Sequence, residues 1–222
     1  MKNVIFVLGC CLFVLASCQQ ATINMPLPQQ DVYIGSDGIK TDYTVIQPSV
    51  GLALTAAIAY EADKETIQKI EDSLEAFSQL LWQDTFGQMY IKTVVLRNNS
   101  QNGYIHFEKL TELGGHAIFG GPFTVNTNLL DLDKKIGKPG VGVKVLAAGI
   151  MHEFGHSMFY LKDEYGTTRQ CIMHPQSRTT TFCISCEKEL LERYNKWKFP
   201  PEAARAGWPA AHPKPAMAVQ EE

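Results

Sequence analysis

The sequence has no surplus of basic residues. Its 20 Lys and Arg stand against 23 Asp and Glu, a net charge of −3, which excludes the basic face a strong nucleic-acid reader needs. Nowhere do ~18 apolar residues run uninterrupted, so no helical membrane span is expected. Internal repeats are absent. Charged residues reach only 19 % and apolar residues 45 %, which rules out a disordered polyelectrolyte or a chain of biased composition. Cysteine is scarce where it could staple a fold. Of six in the chain, Cys10, Cys11 and Cys18 fall within the first 18 residues, leaving Cys171, Cys183 and Cys186. A chain of this size buries a core without staples.

What is present begins with an address. Met1-Lys2-Asn3 is a short positive start, and Val4 to Ala16 is an apolar run of signal-peptide length. It closes on Leu15-Ala16-Ser17-Cys18, which resembles a bacterial lipobox. The expectation is a lipoprotein signal over 1–17, removed before an acylated Cys18. Several acyl chains on that cysteine would give a firm anchor where a single chain is marginal. The chain is then expected in the bacterial cell envelope, outside the cytoplasm, at the outer membrane or cell surface.

Residues 18–48, rich in Gln, Pro, Asp and Thr, read as the lipidated tether and an extended lead-in. Residues 199–222, dominated by Pro and Ala, read as a loosely ordered tail, the alternative being a segment that wraps the domain through Trp208. One domain is expected between them, over 49–198. Gly51–Ala62 reads as a buried strand. Asp63 to Trp82 has apolar residues at three- and four-residue steps, a helix with Asp63 as its cap. Met89–Arg97 and Tyr104–Phe107 read as strands, and His116–Thr127 as an edge strand broken by glycines. A glycine-rich loop over Gly137–Gly142 precedes Val143 to Phe159, which is apolar almost all round and so a buried helix. Cys183–Trp197 reads as a last, amphipathic helix. The fold class is α+β, a mixed sheet with a central helix and a C-terminal helix.

The central helix contains His152-Glu153-Phe154-Gly155-His156. Histidines four apart lie on one helix face, one turn above the other. Both can reach one zinc ion, while Glu153, too far round to be a ligand, is placed to hold a water on the metal as general base. The alternative is a pair of core histidines, but burying two His and a Glu without a metal costs several kcal/mol. The third ligand is open on spacing alone. Asp163 lies seven residues past His156 and reaches the ion only if the helix ends near Phe159 or Tyr160. Glu164, Glu187 and Glu189 compete.

The stretch His152–Tyr165, HEFGHSMFYLKDEY, resembles the IgA-peptidase family of zinc peptidases, and H-E-x-x-H followed by D-E-Y is similar to the metallopeptidase domain of CLCA proteins. The join Leu81–Met89 also looks CLCA-like. Cys171-Ile172-Met173 followed by Phe182-Cys183-Ile184-Ser185-Cys186 resembles the close of IgA-peptidase-type and archaemetzincin-type enzymes. The resemblance implies a metzincin-like zinc peptidase domain with His152, His156 and Asp163 on the ion. It also implies Met173 as the methionine of a Met-turn beneath the ion, and an edge strand around Phe123 to Asn128 that holds the substrate backbone by strand addition. Tyr165 is a candidate hydrogen-bond partner for the tetrahedral intermediate. In one departure, Tyr160 stands where the relatives place glycine, the residue that suits a left-handed helix end. Cys171, Cys183 and Cys186 are expected to carry a disulfide from Cys171 or to remain free thiols, the alternative being a second zinc held together with His174. The function expected is a membrane-anchored zinc metalloendopeptidase acting on a protein or peptide substrate. The alternatives are an envelope binding module with a structural or vestigial zinc, and a zinc hydrolase of a non-peptide amide.

Overall fold

A computed structural model describes residues 50–200 apart from 113, 168 and 178, together with 205 and 212–221. The signal segment, Cys18, most of the tether and Trp208 lie outside the described residues. Strand β1 (Val50–Ile58) turns Leu52, Leu54, Ala56 and Ile58 inward while Ala53 faces solvent. Helix α1 (Lys64–Asp84) follows, and the Asp63 carboxylate accepts the Thr66 amide at 2.7 Å, satisfying a donor the helix start leaves open. Its Ile67, Ile70, Leu74, Phe77 and Leu81 are buried, which is the stripe expected from the spacing. Phe86 and Gly87, both at positive φ, reverse the chain into β2 (Met89–Asn98).

β2 pairs parallel to β1 with one irregularity. Leu52 pairs with Ile91, but Ala53 pairs with Thr93, so Lys92 is an extra residue in β2. Apolar residues in β2 shift from odd positions (Met89, Ile91) to even ones (Val94, Leu96), and a one-residue bulge keeps both sets on the core side.

The sheet is completed by β3 (Ile105–Glu108), β4 (Gly115–Ala117), β5 (Phe123–Asn126) and β6 (Ala216–Glu221), in the order β4-β5-β3-β1-β2-β6. All neighbours are parallel except β4 and β5. The result is a mixed α/β fold with a six-stranded mixed sheet and, among the described residues, four helices: α1, α2 (Leu132–Ile136), α3 (Val141–Ser157) and α4 (Ile184–Arg193). α3 packs beside α1 and over β5, with the Phe154 ring 5.2 Å from Phe77 and 6.4 Å from Phe123. Its start is fixed by Asp133, whose carboxylate accepts the Gly140 and Gly142 amides at 3.0 and 2.7 Å.

Two expectations are corrected. The strand expected at the edge, around Phe123, is interior: all four residues of β5 are buried, and the edge is β4, folded back by the Gly120-Gly121-Pro122 turn. The tail is not loose throughout. Phe199 packs on Phe86, and β6 pairs with β2 along its whole length. Its Ala- and Val-bearing backbone meets the open edge of β2, a pairing that composition does not show.

Candidate metal centre

Helix α3 ends at Ser157, and the chain turns through Tyr160, whose φ is +56°. The residue is tyrosine, yet the backbone keeps the left-handed turn that glycine would adopt freely. The Leu161 amide then reaches back to the Gly155 carbonyl at 3.0 Å, and the Glu164 amide donates to the Met173 carbonyl at 2.9 Å. These two bonds carry Asp163 back beside the histidines.

Three acceptors converge there. The His152 and His156 Nε2 atoms lie 3.1 Å apart, and Asp163 Oδ1 is 3.5 and 3.4 Å from them. Each imidazole donates its Nδ1–H to a backbone carbonyl, His152 to Ile172 at 2.8 Å and His156 to Leu161 at 2.7 Å. That fixes the tautomers and leaves both Nε2 lone pairs facing the carboxylate. Asp163 Oδ1 is buried without a hydrogen-bond donor. Two lone pairs and a carboxylate oxygen with no donor between them repel unless a cation joins them. Ligands at ~2.05 Å in a tetrahedron stand about 3.3 Å apart, and the three edges of this triangle match. The residues present therefore fit a zinc ion. The competing carboxylates do not belong to the group: Glu187 pairs with Arg205 at 2.7 and 2.8 Å, and Glu189 with Arg193 at 3.9 Å.

Burial holds the His152 imidazole below its ordinary pKa, as a neutral ligand requires. Glu153 is buried beside the triangle, and desolvation, with the Asp163 charge second, pushes its carboxyl up to about 7. Tyr165 is exposed and its hydroxyl donates to Asp163 Oδ2 at 3.2 Å. Met173 is fully buried under α3. A side chain on Gly155 would meet its sulfur at 2.5 Å.

His152, Glu153, His156 and Asp163 line a cleft of about 600 Å³. One wall is β4 and Phe119, and the other is the loop of His174, Pro175, Ser177 and Thr179. Gly115 was not singled out from the sequence. Any side chain on it would strike the Thr124 carbonyl and the Glu153 side chain, so glycine lets the edge strand lie directly against that carboxyl. The Gly114-Gly115 pair was the available signal.

Cys171, Cys183 and Cys186 gather elsewhere, as free thiols. The Cys186 sulfur lies 3.5 Å from that of Cys171 and 3.7 Å from that of Cys183. These gaps exceed an S–S bond of about 2.05 Å, and the three sulfurs could themselves hold an ion. The hydrogen bond from Cys186 draws the Cys171 thiol below its ordinary pKa. His174, expected with them, is not in the group. Its ring lies 6.2 Å from Tyr165 and its Nδ1 accepts the Gln176 amide at 2.9 Å.

No family model matches the chain, and no curated protein matches it. The similarity to IgA-peptidase and CLCA proteins thus rests on the motifs alone. Among solved structures, archaemetzincin from Methanopyrus kandleri is similar at 16 % identity and a TM-score of 0.46, over 65 % of this chain and 96 % of that one. At that level the likeness says nothing about chemistry.

Proposed function

We propose that the chain is a zinc-dependent peptidase, held by His152, His156 and Asp163 on one ion and using Glu153 as its general base. The observation that carries this reading is the convergence of three acceptors, with no donor among them, beside a buried carboxyl. When bound, zinc supplies Lewis acidity, polarising a carbonyl and lowering the pKa of water to roughly 7. The chain's own residues do the rest. Glu153, with its carboxyl near neutrality, accepts a proton from the attacking water and returns it to the leaving amine. Tyr165, exposed and with its hydroxyl on Asp163 Oδ2, is the candidate donor to the developing oxyanion. The free edge of β4 offers backbone groups to an extended peptide. A purely structural ion has no use for an open cleft or a buried base beside it, which separates this reading from a binding module.

The test compares Glu153→Gln with Asp163→Ala and His156→Ala. Glu153→Gln should keep zinc and thermal midpoint while turnover on a peptide library falls ~10²–10⁴-fold. The other two should lose zinc, and stability with it. Comparable turnover by Glu153→Gln and wild type refutes the mechanism. Retained zinc in Asp163→Ala refutes the ligand set. The lipobox-like sequence supports a companion proposal, that Cys18 is acylated and anchors the chain outside the cytoplasm. Mass spectrometry of the membrane fraction decides it, and a mature chain starting elsewhere refutes it.

A further inference from the structure

The turn after β4 exposes large apolar side chains, and one of them, Phe119, lines the cleft. Ile118 is 62 % exposed and Phe119 55 %, and Tyr160, just past α3, is 45 % exposed. The Phe119 and Tyr160 rings are stacked, 6.3 Å between centroids and 7° from parallel. Phe119 also meets the His156 ring at 6.0 Å and 86°, so the stack begins beside the three converging acceptors. The Arg193 guanidinium sits over Tyr160 at 5.5 Å.

This arrangement is held at a cost. A side-chain-bearing residue in the left-handed region is strained, and a half-exposed ring recovers little by burial. Tyrosine is nevertheless kept where glycine would turn the chain without strain. The turn facing it is fastened as well. The Gly120 amide donates to the Ser157 carbonyl at 2.8 Å, and the Ser157 hydroxyl donates to the Gly121 carbonyl at 2.5 Å. Gly120 is at φ +72°, and any side chain there would strike the Tyr160 hydroxyl. Both sides of the stack are thus fixed to the end of α3, and backbone strain held in place beside a cleft is characteristic of ligand clamps.

The sheet supplies a direction. β4 pairs only with β5 among the described strands, so its other edge is free. A peptide adding antiparallel to that edge lays its N-terminal part against the Phe119 end of β4. We infer that Phe119 and Tyr160 form a subsite that selects a large apolar side chain, aromatic or branched aliphatic, on the N-terminal side of the scissile bond. The inference rests on the peptidase reading above.

The test is a peptide library cut by wild type, Phe119→Ala and Tyr160→Gly, with Glu153→Gln as the blank and termini mapped by mass spectrometry. Wild type should favour Phe, Tyr or Leu over Ala on that side of the cut by roughly tenfold or more in kcat/KM. Phe119→Ala and Tyr160→Gly should each shrink that ratio at least fivefold while zinc content stays at the wild-type level. A preference that neither variant changes, or one that lies on the C-terminal side of the cut, overturns the subsite alone. A library left whole by wild type overturns the peptidase reading and the subsite with it.

Discussion

Asp84 is a carboxyl with almost no access to water. Burial pushes its pKa well above the usual range, against the pull of the Phe182 amide that donates to it, and its Oδ2 has no hydrogen-bond partner. An acid whose folded pKa is raised stabilises the fold fully below its unfolded pKa and loses that contribution as pH climbs, because the unfolded chain releases the proton more readily. Asp84→Asn keeps an acceptor for the Phe182 amide and carries no charge. It should therefore raise stability at pH 8, by on the order of 1 kcal/mol, with the gain fading as pH falls towards ~4. Thermal melts of both proteins across that range check the sign, and a gain that grows towards acid would refute it. At this scale the sequence was legible where spacing is short. His152, Glu153 and His156 are set by helix geometry, whereas Asp163 depends on a turn at Tyr160 that tyrosine does not advertise. His174 fits a cysteine-cluster spacing, but the loop sends it to the cleft.

Helix α3 contains three interior glycines with different reasons to be there. A side chain on Gly142 would meet the Leu130 backbone at 2.6 Å, and one on Gly155 the Met173 sulfur at 2.5 Å. Around Gly149 only Leu129 Cδ1 comes near, at 3.8 Å, and the residue faces the cleft. Helix propensity favours alanine over glycine by about 0.5–1 kcal/mol. Gly149→Ala should accordingly stabilise the protein by that amount, and Gly142→Ala and Gly155→Ala should each destabilise it by about 1–3 kcal/mol through overpacking. Urea unfolding of the three variants decides the ranking, and a destabilised Gly149→Ala would show that the helix has less room than its surroundings indicate. Long elements, α1 and β2 by their periods and α3 by its length and apolar run, were readable within a few residues. β4 was not, since Gly115-His116-Ala117 is too short to show a period, and its role as the edge follows from the turn at Gly120 rather than from its own residues.

Across the whole molecule, the two edges of the sheet are managed differently. One ends on β4 beside the cleft, with no further strand on it among the described residues. The other ends on β6, which covers β2 and whose position no local pattern announces, because Ala216–Glu221 is a strand only by virtue of the strand it meets. Its side chains are mostly exposed. What holds it is the main-chain ladder to β2 and a few polar ties: Asn98 to Glu221 at 2.8 Å, Arg97 to Gln220 at 3.4 Å, and Lys214 to Glu75 at 2.6 Å just before it. With so little apolar burial, this is the strand expected to open first. Once it is gone, β2 offers a bare row of amides and carbonyls along Thr93-Val94-Val95-Leu96, a β-branched, uncharged run of the kind that recruits like strands. A chain cut before Ala216 should therefore gather into light-scattering particles at concentrations where the full chain stays clear. Trimming a handful of terminal residues would then change colloidal behaviour far more than it changes folding.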